Sequence, residues 1–297
     1  MLLLITGSLD GTSDLLVRKL GKNNVFRLNY DLYKDYKLEF TPEFWRVINP
    51  AGHEINSNTV TSAFWWKAFN FYLQDEDRFI TEEVKYIFRE IYHWCRLRGI
   101  TKGNPHDYHN HMGKLNILSV ASKFYKTPRT LTTFKLLGLD GLNDVEVVAK
   151  SFSSGLTTTN KTLMTTAVNT AALHPEFPWY LQEKINSTAD VTIFICGDGF
   201  YAFERDRTNL VGLDWRTEQS MDAKVEEWIT LELTEEEFES TKRFCEALNV
   251  NFGRIDLMRD GEELIFLEYN ANGQWVFLDF SDKVGLVGRV ADYIRQC

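Results

Sequence analysis

Sulfur is scarce in this chain and scattered where it occurs. Cys95, Cys196, Cys245 and Cys297 are the four cysteines, and no two form a CxxC pair. That pattern offers neither a disulfide framework nor a paired-thiol motif, and predicts reduced thiols in a cytosolic protein. Long apolar runs are also missing. None approaches the roughly 18 residues needed to span a bilayer. The opening MLLLIT has only four consecutive apolar residues and no basic lead, so no signal peptide is expected. Positive charge is outweighed: 33 Lys and Arg face 42 Asp and Glu, a net charge of −9. That balance excludes a general surface for nucleic acid or anionic membrane, and tolerates a basic partner. Internal repeats and low-complexity tracts are absent. What remains is ample core material in 297 residues, with 44% hydrophobic and 14% aromatic side chains. A charged content of 25% is ordinary for a soluble protein, and the length suits two or three domains.

The most informative stretch is 252–275, FGRIDLMRDGEELIFLEYNANGQW. Two apolar runs, 255–258 and 264–267, flank a polar break containing Asp260-Gly261, a strong hairpin signal. Asp256, Glu268 and Asn270 stand where apolar residues would be expected. Carboxylates on a half-buried hairpin are costly unless a cation meets them. Mg²⁺ takes hard oxygen ligands, usually one or two carboxylates. The alternative is an exposed hairpin face with scattered acids. A two-residue turn at Asp260-Gly261 would pair Asp256 with Ile265 and send Glu268 to the opposite face. The metal reading therefore requires an odd-length loop or a bulge near 259–263.

The rest of the chain reads as alternating short elements. A strand at 2–6, a turn at 7–11, a helix over 14–20 capped by Ser13, and a strand at 25–28 form a β-α-β start. The 7–11 loop lacks the lysine of a P-loop and the spacing of a dinucleotide fingerprint, and reads as an ordinary turn. Short strands fill 36–66, with the aromatic SAFWWKAF (62–69) at a strand end or sheet edge. The helix over 81–99 turns Val84, Ile87, Phe88, Ile91, Tyr92 and Cys95 inward. The stretch 102–114 is a linker; its His106, His109 and His111 have loop-like spacing and read as solvated rather than metal-bound. A helix follows over 114–126 with Leu115, Ile117, Leu118 and Ala121 inward. Strands are expected at 130–133, 145–150 and 179–185, with a hydroxyl-rich loop over 151–162. A hairpin is expected at 191–203, and Thr234 to Glu237 form a capping box for a helix to Leu248.

The order of the polar residues is more specific than any one of them. Lys114 opens a helix, Lys150 ends a strand, and Gln182, Glu183 and Ile185 follow one another. Asp190 precedes a strand, and Asp256, Glu268 and Asn270 close the array. This order resembles the ATP-grasp ligases over most of the chain. Gly113-Lys114-Leu115, TPRTLTT at 127–133, Asp214-Trp215-Arg216 and Asn-Gly-Gln-Trp at 272–275 look more narrowly like the ATP-grasp maturases of graspetides, the omega-ester and omega-amide peptides such as the microviridins. The ITGSLDGTSDLL and FRLNYDL segments resemble them too.

The resemblance implies an α/β (α+β) ATP-grasp fold. Its parts would be an N-terminal pre-ATP-grasp α/β domain (1–103), a small central domain (104–186) and a C-terminal antiparallel-sheet domain (187–297). It implies ATP and Mg²⁺ as cofactors. Lys114 and Lys150 would contact the phosphates. Gln182, Glu183 and Ile185 would line the adenine-binding linker, and Asp190 would take the ribose hydroxyls. Asp256, Glu268 and Asn270 would hold Mg²⁺. Arg254 or Arg216 would stabilise the tetrahedral intermediate. Three positions depart from the family pattern: Thr192 stands where an arginine usually follows the acid, Ala271 replaces a proline, and Lys67 stands where maturases tend to carry arginine.

The implied activity is a cytoplasmic, ATP-dependent peptide maturase. It would activate Asp or Glu side chains of a ribosomal precursor as acyl phosphates and link them to Thr, Ser or Lys. Its partners would be a leader-plus-core peptide and a second copy in a homodimer, with no nucleic acid and no membrane. The alternatives are an ATP-grasp ligase joining a free amino acid to a peptide or small acid, and a non-catalytic ATP- or peptide-binding protein with a degenerate site.

Overall fold

The computed structural model describes residues 1–67, 76–105, 108–152, 165–208, 210, 213 and 227–296, without the side chains of His109 and Asn110. Arg216 with its Asp-Trp neighbours, His106, and the larger part of the 151–162 loop lie outside the described residues.

The chain begins with a fully buried strand, β1 (Leu2–Thr6), helix α1 (Gly11–Leu20) and strand β2 (Val25–Asn29). α1 starts earlier than Ser13. Its cap is Asp10, whose carboxylate accepts from the Ser13 amide at 2.6 Å. A small antiparallel sheet follows, of β3 (Lys37–Phe40), β4 (Trp45–Ile48) and β5 (Glu54–Asn56). β6 (Ser62–Trp65) is not an edge. It lies between β1 and β7 (Thr101–Lys102) in a parallel sheet of order β2-β1-β6-β7, and all four of its residues are buried. A strand buried on both faces favours apolar residues, which is why its aromatics run consecutively, and its one polar residue, Ser62, donates to the Ile294 carbonyl at 2.6 Å. α2 (Arg78–Leu97) covers this sheet through Val84, Phe88, Ile91, Tyr92 and Cys95. Ile87, expected inward, is 39% exposed on the flank of that stripe.

Beyond α3 (Tyr108–Met112) and α4 (Lys114–Ala121), four strands form an antiparallel sheet of order β10-β9-β11-β8. They are β8 (Thr130–Thr133), β9 (Val147–Lys150), β10 (Thr166–Val168) and β11 (Trp179–Glu183). The last sheet is also antiparallel, of order β14-β13-β12-β15-β16. Its strands are β12 (Ala189–Cys196), β13 (Gly199–Asp206), β14 (Ile229–Leu231), β15 (Phe252–Asp260) and β16 (Glu263–Asn270). α5 (Glu235–Leu248) carries the expected capping box. α6 (Leu286–Arg295) ends the described chain.

Two helices pack away from their neighbours in sequence. Ile117, Leu118 and Ala121 of α4 share a core with Ile193, Ile255 and Phe244 of the last sheet and α5. Leu115, expected inward, is exposed. Val290 and Ile294 of α6 pack with Leu4, Leu16 and Leu20 of the first unit. Cys95, Cys196 and Cys245 are buried free thiols, each pushed up to about 12 chiefly by burial. No helix among the described residues is long and apolar enough to cross a membrane.

The pairing of β15 with β16 is tight at Gly253. Its φ is +132°, and a Cβ there would lie 2.7 Å from the Tyr269 ring. Tyr269 cannot retreat: it is fully buried, its hydroxyl donates to the Phe252 carbonyl, and it accepts from Asn104 Nδ2 at 3.1 Å. Gly253→Ala is expected to lower stability by about 2–4 kcal/mol through overpacking and backbone strain. An unchanged urea midpoint would show that the strand can shift to make room.

Candidate functional site

The hairpin of β15 and β16 brings Asp256 and Glu268 onto one face, by a route different from the expected one. The turn is a plain two-residue one, Gly261-Glu262, closed by Asp260 opposite Glu263. The irregularity lies farther along the ladder. Asp256 pairs with Glu268 and Leu257 with Phe266, leaving Leu267 as an extra residue on β16. One inserted residue in a strand of period two turns every later side chain to the other face. Without it Asp256 would face Leu267. With it, cross-strand rows form: Thr192, Asp256 and Glu268 in one, and Phe194, Arg254 and Asn270 in the next.

These rows are bonded together. Asp256 accepts from Arg254 Nε (2.8 Å) and Nη2 (2.9 Å), from Thr192 Oγ1 (2.9 Å) and from Asn270 Nδ2 (2.6 Å). Asn270 Nδ2 also donates to Glu268 Oε1 at 3.0 Å. Lys114 Nζ stands 3.8 Å from Glu268 Oε2. Burial pushes the Glu268 carboxyl up. Lys114, the Asn270 hydrogen bond, Lys150 and Arg254 together outweigh it and hold the group below its usual range, as a carboxylate.

Two opposed carboxylates and an amide make a hard-oxygen donor set. It suits Mg²⁺, which completes its shell with phosphate and water oxygens. The Asn270 amide now donates to both acids; half a turn about its last torsion presents its oxygen instead. Among the described residues no three His, Cys, Asp or Glu side chains gather into a metal cluster of their own.

A small cleft opens beside Glu268. Lys114, Lys150, Tyr180, Phe266 and Leu267 contribute to its walls. Lys114 is the first residue of α4, and Lys150, the last of β9, pairs with Tyr180 on β11. Phe152 stacks on Tyr180 with ring centroids 4.2 Å apart. Two cations, one carboxylate and an aromatic wall therefore meet in one space. The Tyr180 and Phe152 rings were not foreseen. Strand alternation was the available signal, since Tyr180 lies two residues before Gln182.

The other expected residues lie outside the cavity walls. Gln182 is buried and donates to Thr130 Oγ1 at 3.0 Å, while its Oε1 meets no hydrogen-bond donor among the described residues. Glu183 accepts from the Arg129 amide at 3.2 Å. Ile185 is half-buried beyond the end of β11. Asp190 forms an ion pair with Arg207 at 2.6 Å and stands opposite Arg205. Burial pushes its carboxyl up; Arg207 and Arg205 oppose this without cancelling it.

Arg254 reaches in two directions. Its Nη1 donates to the Gln274 carbonyl at 2.6 Å, and Gln274 Oε1 accepts from Thr12 on α1 at 3.1 Å. Trp275, next in the chain, stacks on Phe194 and packs on Trp66. The Asn-Gly-Gln-Trp tail thus fastens the parallel sheet's edge against the carboxylate hairpin.

No family profile and no curated protein matches the sequence. Solved structures do match. A RiPP-associated ATP-grasp ligase of Chryseobacterium gregarium, solved with ADP and a leader and core peptide, is 23% identical with a TM-score of 0.84, over 99% of this chain and 96% of that one. The macrocyclase MdnC of Microcystis aeruginosa MRC, bound with precursor peptide MdnA, is 17% identical with a TM-score of 0.79, over 99% of both chains. The D-alanine–D-alanine ligase of Bacillus anthracis, complexed with ATP, is 14% identical with a TM-score of 0.57, over 99% of this chain and 95% of that one. The chain has the ATP-grasp fold.

Proposed function

We propose that this chain is an ATP-dependent peptide maturase. It activates Asp or Glu side chains of a precursor peptide as acyl phosphates and joins them to Thr, Ser or Lys side chains of the same peptide. The observation that carries the reading is one charged space: Glu268 on the bulged hairpin faces Lys114 across a cavity that Lys150 also lines. The likeness in fold supports it, because the match to the two peptide-bound enzymes is closer than the match to the ligase of a free amino acid.

Phosphoryl transfer demands positioning and charge neutralisation above all. Lys114 and Lys150 supply positive charge for the ATP phosphates. Tyr180 and Phe152 offer rings for the base, and the open Oε1 of Gln182 offers an acceptor along the linker with Glu183 and Ile185. Arg207 holds Oδ1 of Asp190, and its Oδ2, which meets no hydrogen-bond donor among the described residues, takes the ribose hydroxyls. Asp256, Glu268 and Asn270 hold Mg²⁺, which when bound neutralises phosphate charge. Arg254, and Arg216 from the 187–297 domain, stabilise the oxyanion as the acyl phosphate is opened. The leader docks on the 104–186 domain, and the enzyme works as a cytoplasmic homodimer.

The test is peptide-dependent ADP release with candidate precursor peptides rich in Thr or Lys with Asp and Glu, followed by mass spectrometry. Loss of one water per link is expected. Gain of a residue's mass would favour a ligase of free amino acids. Intact ATP binding without ADP release would favour a binding module.

A further inference from the structure

The parallel strands β1 and β6 end at the same edge, and the chain leaves them there as the 7–10 loop and Lys67. The Trp66 amide donates to the Ile5 carbonyl at 2.9 Å, so the two exits lie side by side. Trp66 packs on Trp275, whose neighbour Gln274 accepts from Arg254. Lys67 is therefore carried to the seam between the parallel sheet and the carboxylate hairpin. Crevices at the carboxyl ends of parallel strands are where open α/β sheets bind ligands.

The residue itself is unusual. Its φ is +50°, a left-handed conformation seldom adopted by a residue with a Cβ. It is half-buried, with Nζ 5.5 Å from the Trp66 ring centroid. Among the described residues no carboxylate lies within ion-pair distance of it. The charged groups that act on it are Asp10, the cap of α1, and Arg254 of β15.

We infer that Lys67 is the base for ring closure, taking the proton from the substrate hydroxyl or amine as it attacks the acyl phosphate. This rests on the maturase reading above. In the step, the nucleophile's lone pair forms a bond to the acyl carbon. The carbon–oxygen bond to phosphate breaks, and inorganic phosphate leaves with that electron pair. The O–H or N–H proton passes to the neutral amine of Lys67, which becomes an ammonium. Burial, with Arg254 in the same direction and Asp10 against, brings its pKa down to about 8. A base tuned to near the working pH combines a populated neutral form with useful basicity. Arginine in its place would stay charged at any working pH.

The two half-reactions can be read apart. With ATP, a threonine-bearing precursor and hydroxylamine, the activated acid is trapped as a hydroxamate, while ring closure removes water. Lys67→Met and Lys67→Arg should both lower ring formation about 10²–10⁴-fold relative to hydroxamate formation. The wild-type ring-forming rate should climb as pH rises through about 8, because the neutral amine accumulates, and then level off. That rising limb should be missing from both variants. Competitive amine labelling of the wild-type protein should place the Lys67 midpoint about there, below the other lysines. Thermal melting checks that the variants fold. Ring closure restored by Lys67→Arg would make the residue a fixed cation, and equal losses of ring and hydroxamate would make it structural; either overturns the inference. A wild-type protein that forms no hydroxamate overturns the maturase reading as well.

Discussion

Glu268→Gln is expected to reduce peptide-dependent ADP release by about 10²–10³-fold, the scale of losing one well-aimed electrostatic group. Glutamine keeps the volume and can still meet Asn270. It removes the charge that Lys114 faces at 3.8 Å and leaves Asp256 as the single carboxylate of the row. The fold should survive. The Glu268 side chain is 43% exposed, and ion pairs with that much solvent contribute about 0–1 kcal/mol. The melting temperature should therefore move by only a few degrees. The pH dependence has a definite sign. Glu268 is held below its usual range, so its contribution is present above the ordinary glutamate pKa and disappears as pH falls through the lowered value. Wild type and variant should differ most in stability near neutrality and converge in acid. Full ADP release by the variant would remove the hairpin from the phosphate and metal chemistry.

Arg254→Lys should have a comparable effect on turnover, about 10²–10³-fold, together with a larger effect on stability. The guanidinium makes three bonds that one ammonium cannot reproduce: two to the separate oxygens of Asp256 and one to the Gln274 carbonyl. A planar fork spans such partners, whereas a point charge does not. The Arg254 and Asp256 side chains are largely buried, so a loosened pair exposes an incompletely compensated carboxylate to a poorly solvating site. A loss of about 2 kcal/mol is expected from the broken charge-assisted bonds. Peptide-dependent turnover and a urea titration measure the two effects. A lysine variant with wild-type turnover would show that the fork's geometry plays no part in the chemistry.

Local chemistry made much of the architecture legible. β1 occupies the stretch expected of it, and α5 starts at its capping box because that motif satisfies helix-end donors within four residues. Where expectation missed, the cause was competition from a neighbour. Asp10 caps α1 because its carboxylate accepts from the Ser13 amide, and β6 is internal because β7 pairs along its far edge. The site's residue types were legible for a similar reason: Asp256, Glu268 and Asn270 interrupt apolar runs that have no local use for them.

The face those residues share was not legible. It depends on Leu267, a leucine of ordinary composition whose extra place exists only relative to β15. The partners of Asp190, the tie from Arg254 through Gln274 to Thr12, and the seam that holds Lys67 all join residues remote in sequence. The sequence by itself determined the element types, the capping box of α5 and the inventory of oxygen- and nitrogen-bearing side chains. Each of these is settled by backbone preference and burial within a few residues. Only the tertiary structure decided the register and which charges meet, because those follow from how separate strands pair and pack.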